Sequence, residues 1–202
     1  MVEVAEVALV NLPTPPPALG PEGLTPYCVG PGETGEVVVS GSHVNRGYIN
    51  NPEADRENKL HQTNGTVWHR TGDLGYFDPD GLLWLVGRVK DRVTHQDGFI
   101  APYPLEAALE ALGEVRRAAV IQSPKSQDAV LVLEGESGVS NEALLGGANE
   151  VLRARDLPDL KTVLTPAIPV DGRHNSKIDR IKLKTAVNRQ WPLSSGELTS
   201  PR

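Results

Sequence analysis

Residues 67–88 read Val67-Trp68-His69-Arg70-Thr71-Gly72-Asp73-Leu74-Gly75-Tyr76-Phe77-Asp78-Pro79-Asp80-Gly81-Leu82-Leu83-Trp84-Leu85-Val86-Gly87-Arg88. Two runs, 67–70 and 82–86, carry the β-branched, aromatic and aliphatic residues that suit strands. Between them stands Asp78-Pro79-Asp80-Gly81. Asp first, Pro second and Gly fourth are the residues that a type I turn with a glycine bulge asks for. The stretch therefore predicts a β-hairpin, with Thr71-Gly72-Asp73 before the turn and Arg88 at the end of the return strand. Folding about residues 79–80 brings Asp73 and Arg88 to one open end, about 5–10 Å apart by cross-strand and diagonal spacing. The face that Arg88 takes depends on the turn, because a one-residue slip turns every side chain over. A carboxylate so placed can accept two hydrogen bonds from a vicinal diol such as a ribose. A neighbouring guanidinium can donate to the same hydroxyls or to a phosphate. The same spacing also suits a turn aspartate in a surface ion pair.

Toward the amino terminus, Glu36-Val37-Val38-Val39-Ser40 is a β-branched run between Gly35 and Gly41, the pattern of a buried strand. Asn51-Pro52-Glu53 opens a short helix, since Asn caps well, Pro fits the first turn and an early acid suits the positive helix end. Residues 1–35, with Leu12-Pro13-Thr14-Pro15-Pro16-Pro17 at their centre, read as an extended connector or surface loop. Gly30-Pro31-Gly32-Glu33-Thr34-Gly35 reads as a turn, being acidic and lacking the lysine that a phosphate cradle wants.

Beyond the hairpin, Val89-Lys90-Asp91-Arg92 is short and charged and marks a domain boundary. A strand over 92–95, a turn at Asp97-Gly98 and a helix follow. In that helix Leu105, Ala108, Leu109 and Leu112 recur at helical spacing, with Gly113 as the stop. Strands over 115–121 and 129–134 come next, then a helix from Ser140 with Leu144, Leu145, Ala148, Val151 and Leu152 on one stripe. A strand near 162–165 and a last helix from Lys177 complete a small mixed unit. The expected class is α+β: a β-rich part over 1–88, a mixed domain over 89–191 and a frayed tail over 192–202.

The chain's 202 residues include 39% hydrophobic and 23% charged, ordinary globular usage. A net charge of −6 argues against a nucleic-acid or anionic-membrane partner. Cys28 is the single cysteine, which fits a reducing, cytoplasmic setting. No apolar run approaches the ~20 residues of a membrane span. His43, His61, His69, His95 and His174 form no ligand spacing, so no metal ligand set is expected. No phosphate loop of the GxxxxGK[ST] kind and no nucleophile elbow is present.

Lys177 lies in Pro169-Val170-Asp171-Gly172-Arg173-His174-Asn175-Ser176-Lys177-Ile178-Asp179-Arg180. Ser176 and Asp179 have the outline of a capping box, which predicts Lys177 as the first helical residue behind a polar loop. A lysine at the positive helix end is mildly unfavourable, by up to about 1 kcal/mol. An anion brought there would gain from both the lysine and the open N–H groups. The alternative is a solvated lysine on a polar loop.

Taken together, four stretches resemble the carboxyl-terminal part of acyl-adenylate-forming enzymes, the superfamily of acyl-CoA synthetases, peptide-synthetase adenylation domains and luciferases. They are 35–53, from Gly35-Glu36 through Gly47-Tyr48 to Asn51-Pro52-Glu53; His69 to Gly75; Gly87-Arg88-Val89-Lys90-Asp91; and 169–180. The resemblance implies activation of a carboxylic acid with ATP and Mg²⁺ to an acyl-adenylate and pyrophosphate. It gives Asp73 to the ribose hydroxyls, Arg88 to the nucleotide, and Lys90 to the hinge on which a small domain swings between half-reactions. It gives Lys177 to the bridge between carboxylate and α-phosphate, and Gly98 to the acceptor side.

Two departures bear on the acceptor. Asp97 precedes Gly98 where ligases of this kind have a basic residue, which does not suit a phosphorylated thiol such as CoA. Ser176-Lys177 replaces the usual Gly-Lys pair. The wording is similar to the β-lactone synthetases of olefin biosynthesis, in which a β-hydroxyl displaces AMP within the substrate. Fatty or β-hydroxy fatty acids are the expected substrates. The family's phosphate loop, adenine-binding strand and acyl pocket have no counterpart in residues 1–32, so this chain alone is expected not to adenylate and to need a separate N-terminal lobe. The alternative is a folded, non-catalytic lobe.

Overall fold

The computed structural model describes residues 5–95, 98–123, 125–126, 128–172 and 177–190. The chain divides into two compact units, Met1–Lys90 and Asp91–Arg202. The mix of sheets and helices is the α+β class that the sequence predicts.

The first unit is an antiparallel sheet. Its strands are β1 (Glu6–Val10), β2 (Gly35–Ser40), β3 (Lys59–His61), β4 (Val67–Phe77) and β5 (Leu83–Arg88), and its helix is α1 (Pro52–Asn58). The order is β1-β2-β4-β3, with β5 on the second half of β4. The predicted turn is present: Gly81 N–H donates to Asp78 O at 2.9 Å, and Gly81 takes φ +79°. Asn51 caps α1, its side chain accepting from Ala54 N–H at 3.1 Å.

The expected connector over 1–35 is corrected. Residues 6–10 form β1 and pair with β2 from Glu6↔Ser40 to Val10↔Glu36. The prolines begin only at residue 13, so they leave that ladder untouched. Leu9 and Val10 are buried in it, and Leu19 and Leu24 fold back onto the same core with Val38 and Leu60.

The second unit holds β6 (Val93–His95), β7 (Gly98–Ile100), α2 (Pro102–Glu110), β8 (Val115–Gln122), β9 (Ala129–Gly135), α3 (Asn141–Arg153), β10 (Lys161–Leu164) and α4 (Arg180–Gln190). Strands β10-β9-β8 form one sheet, parallel between β10 and β9 and antiparallel between β9 and β8. Successive side chains alternate between two cores. Ala118, Val120, Leu131 and Leu133 pack with Leu105 and Leu109 of α2 and Leu144, Ala148 and Leu152 of α3. Ala119, Ile121, Val130 and Val132 pack with Leu183 and Val187 of α4. A sheet covered on both faces explains why β8 and β9 read as unbroken apolar runs.

Two expectations in this unit change. Gly98 opens strand β7, paired with His95, where the sequence suggests a turn; Asp97 lies outside the described residues. The last helix starts at Arg180, three residues after Lys177. Ser176 and His174 lie outside the described residues, as does the tail over 192–202.

Candidate functional site

Thr71-Gly72-Asp73 forms a bulge in β4. Glu36 pairs with Leu74 and Val38 with Arg70, so Val37 alone faces three residues of β4. Gly72 takes φ +71°, a conformation that side chains with a Cβ disfavour. Thr71 closes the gap in the ladder. Its hydroxyl donates to Val37 O at 2.8 Å and accepts from Asp73 N–H at 3.0 Å, so the displaced backbone groups find partners.

A second irregularity lies in β5. Leu74 pairs with Gly87 and Gly75 with Leu85, which leaves Val86 as the extra residue. Because of it Asp73 stands directly across from Arg88; without it Asp73 would face Gly87. Arg88 Nη1 donates to Asp73 Oδ1 at 2.5 Å, and the side chains remain 42% and 27% exposed. The second carboxylate oxygen and the other guanidinium N–H groups make no hydrogen bond among the described residues. The pair therefore keeps acceptor and donor capacity facing water, which is what a diol or phosphate would use.

Arg70, in the same strand, contrasts with it. Its Nε donates to both oxygens of Glu36 at 3.1 Å, Nη2 to Oε2 at 2.7 Å, and Nη1 to Glu57 O at 2.9 Å. Nearly every polar group there is satisfied internally, and the pair holds β2, β4 and the end of α1 together. The acid at Glu36, opening a β-branched run, was the only sequence signal for it.

Lys177 belongs to the second unit and is exposed. It stands at the base of a clasp. Asp171 N–H donates to Lys177 O at 2.8 Å, Asp179 N–H donates to Pro169 O at 2.9 Å, and Val170 and Ile178 form an antiparallel bridge. Residues 177–179 thus make strand-like bonds, which is why they cannot be helical. Asp179 is the cap of α4: its Oδ1 accepts from Lys182 N–H at 3.0 Å. That N–H and the Lys182 ammonium hold the Asp179 carboxyl below its usual range. The Lys177 ammonium has no partner among the described residues. Lys90 is exposed in a 3-10 turn over Val89–Asp91.

Of the five candidate residues, Asp73 and Arg88 share one hairpin end in the first unit, and Lys177 and Gly98 lie in the second. Among the described residues no three His, Cys, Asp or Glu side chains cluster to hold a metal. No helix among them is long and apolar enough to cross a membrane.

Comparison with known proteins adds sequence relatives. The chain is 35% identical over 161 residues to an olefin β-lactone synthetase of Stenotrophomonas maltophilia, spanning 75% of this chain and 29% of that protein. It is 36% identical over 112 residues to an oxalate–CoA ligase of Saccharomyces cerevisiae, spanning 52% and 20%. The chain belongs, as a carboxyl-terminal stretch, to the adenylate-forming ligases. It spans under a third of the length of these curated relatives. Among solved adenylate-forming ligases, the amide bond synthetase McbA of Marinactinospora thermotolerans matches with TM-score 0.64 and 26% identity, over 90% of this chain and 34% of that one. ATP-bound MatB of Rhodopseudomonas palustris shares the fold, with TM-score 0.68 and 21% identity over 93% and 35%. No family model matches the chain.

Proposed function

We propose that these residues serve an ATP-dependent ligase that activates a carboxylic acid as its acyl-adenylate. The observation that carries this reading is the Asp73–Arg88 pair, held by two bulges with part of its hydrogen-bonding capacity open to water. Asp73 would clasp the ribose hydroxyls and Arg88 the nucleotide beside them. The substrate carboxylate attacks the α-phosphorus and pyrophosphate leaves. Two anions must meet for that, so a positioned cation offsets both their repulsion and the charge that grows in the transition state. Lys177 is that cation. Lys90 is the hinge on which the second unit, as a mobile domain, delivers and withdraws it.

The favoured substrates are fatty or β-hydroxy fatty acids, and the setting is cytoplasmic. For the acceptor, Asp97 beside Gly98 and the 35% identity to olefin β-lactone synthetases support the internal β-hydroxyl. That oxygen would attack the acyl carbon, AMP would leave, and the hydroxyl proton would pass to solvent. CoA is the alternative acceptor.

The 202 residues by themselves are proposed not to adenylate, since the relatives devote about two thirds of their length to segments outside this match. Pyrophosphate exchange with a panel of fatty and β-hydroxy acids tests both points. The purified chain should show none. Supplying the preceding lobe of the Stenotrophomonas synthetase should restore exchange, and Lys177→Ala should abolish the rescue. Robust exchange by the chain alone, or rescue indifferent to Lys177, overturns the assignment.

A further inference from the structure

The clasp that carries Lys177 is anchored at both ends by buried glutamates. At its start, Ile168 N–H donates to Glu134 Oε2 at 2.7 Å, and Glu134, 4% exposed, also lies 3.3 Å from Arg116 Nη1. At its end stands Arg180. Its Nη2 donates to both oxygens of Glu106, at 2.8 and 2.7 Å, and its Nη1 to Val120 O at 3.0 Å. Its Nε lies 3.7 Å from Asp91 Oδ2. Glu106 in turn accepts from Val120 N–H at 2.8 Å. One guanidinium therefore joins the clasp and α4 to α2, to the strand β8, and to Asp91, the residue after Lys90.

We propose that Arg180 is a positioning residue: it locks the Lys177 clasp to Asp91, so that rotation at Lys90 carries Lys177 as part of one rigid body. The inference rests on the roles given above to Lys90 and Lys177. A lever delivers its tip accurately only if its arm is stiff, and a misplacement of about 1 Å at a reacting centre can cost about a hundredfold in rate. Core stability alone would be served as well by apolar residues of similar volume in place of both Arg180 and Glu106. Arginine adds reach in three directions at once, which the single point charge of lysine cannot reproduce. The contact with Asp91 does nothing for either apolar core, yet it ties the clasp to the start of the unit.

Amide hydrogen exchange on the 202-residue chain tests the tie without any enzymatic readout. In Arg180→Lys the amides of Asp171 and Asp179, which close the clasp, should exchange at least about tenfold faster, while residues 130–133 of β9 keep their protection. Asp91→Asn should speed the same two amides, and Glu106→Gln, which keeps the shape, serves should Arg180→Lys unfold. Unchanged clasp amides overturn the proposal. Uniform loss of protection through β8 and β9 also overturns it, because that is what a plain stabiliser would give. In the two-part exchange assay, Arg180→Lys should lower kcat at least about tenfold with the KM for ATP within about twofold. If the wild-type chain gives no rescue there, the functional reading falls, and hydrogen exchange alone decides the tie.

Discussion

Two arginine–carboxylate pairs, one in each unit, look alike on paper and differ in what surrounds them. Arg88 makes one bond to Asp73 at the open end of a hairpin, and both side chains stay partly in water. Arg180 engages both oxygens of Glu106, a backbone carbonyl and the charge of Asp91, with 11% of its side chain exposed. The first pair leaves capacity for a ligand. The second leaves almost none and can only hold segments together. Chemistry of the residues does not separate site from scaffold here; saturation and exposure do.

The largest test of that contrast is Arg180→Met, which strands a buried carboxylate. It should cost the second unit about 3–5 kcal/mol in chemical denaturation, and a loss under about 1 kcal/mol would erase the distinction. Next comes Thr71→Val, which keeps the shape but leaves Val37 O and Asp73 N–H without their shared hydroxyl. The first unit should lose about 1–3 kcal/mol, showing that the backbone bulge, more than the ion pair, holds Asp73 in place. Asp73→Asn should then change stability by less than about 1 kcal/mol in the same measurement; a larger loss would make the hairpin pair a structural one.

The smallest test is one of sign. Burial pushes the Glu106 carboxyl above its ordinary range, against the pull of Arg180. Its contribution is therefore whole below the unfolded glutamate pKa, about 4.3, and fades as pH rises through the folded value. Asp78 is lowered, first by the Trp84 indole N–H, which donates to Oδ2 at 2.7 Å. Its contribution is whole above the unfolded aspartate pKa, about 3.9, and is lost as pH falls through the folded value. Unfolding followed against pH should show opposite slopes, with Glu106→Gln flattening only the second unit and the Trp84 indole N–H resonance reporting the first.

Local patterns were legible where local physics decides. Asp78-Pro79-Asp80-Gly81 specified its turn through φ preferences, Asn51-Pro52 and Ser140 specified helix starts through capping, and the apolar runs of β8 and β9 specified strands. The connector reading of residues 1–35 failed because the prolines outweighed the short apolar run Val7-Ala8-Leu9-Val10, whose partner strand β2 lies about thirty residues further on. The helix start at Lys177 failed because Pro169 and Asp171 take up the backbone of 177–179, and those bonds come from residues six to ten positions away.

For the site, the sequence alone determined which residue types were present and that a hairpin would bring Asp73 and Arg88 to one end. Whether they met was decided in three dimensions. The extra residue at Val86 sets the register, and a register offset of one residue separates a facing pair from a missed one. Glu106 and Glu134 carried only the faint signal of acids in apolar surroundings. Their partners, Arg180 and the Ile168 N–H, stand 74 and 34 residues away along the chain. Burial creates the demand for such a partner, and only the packed fold says which one answers it.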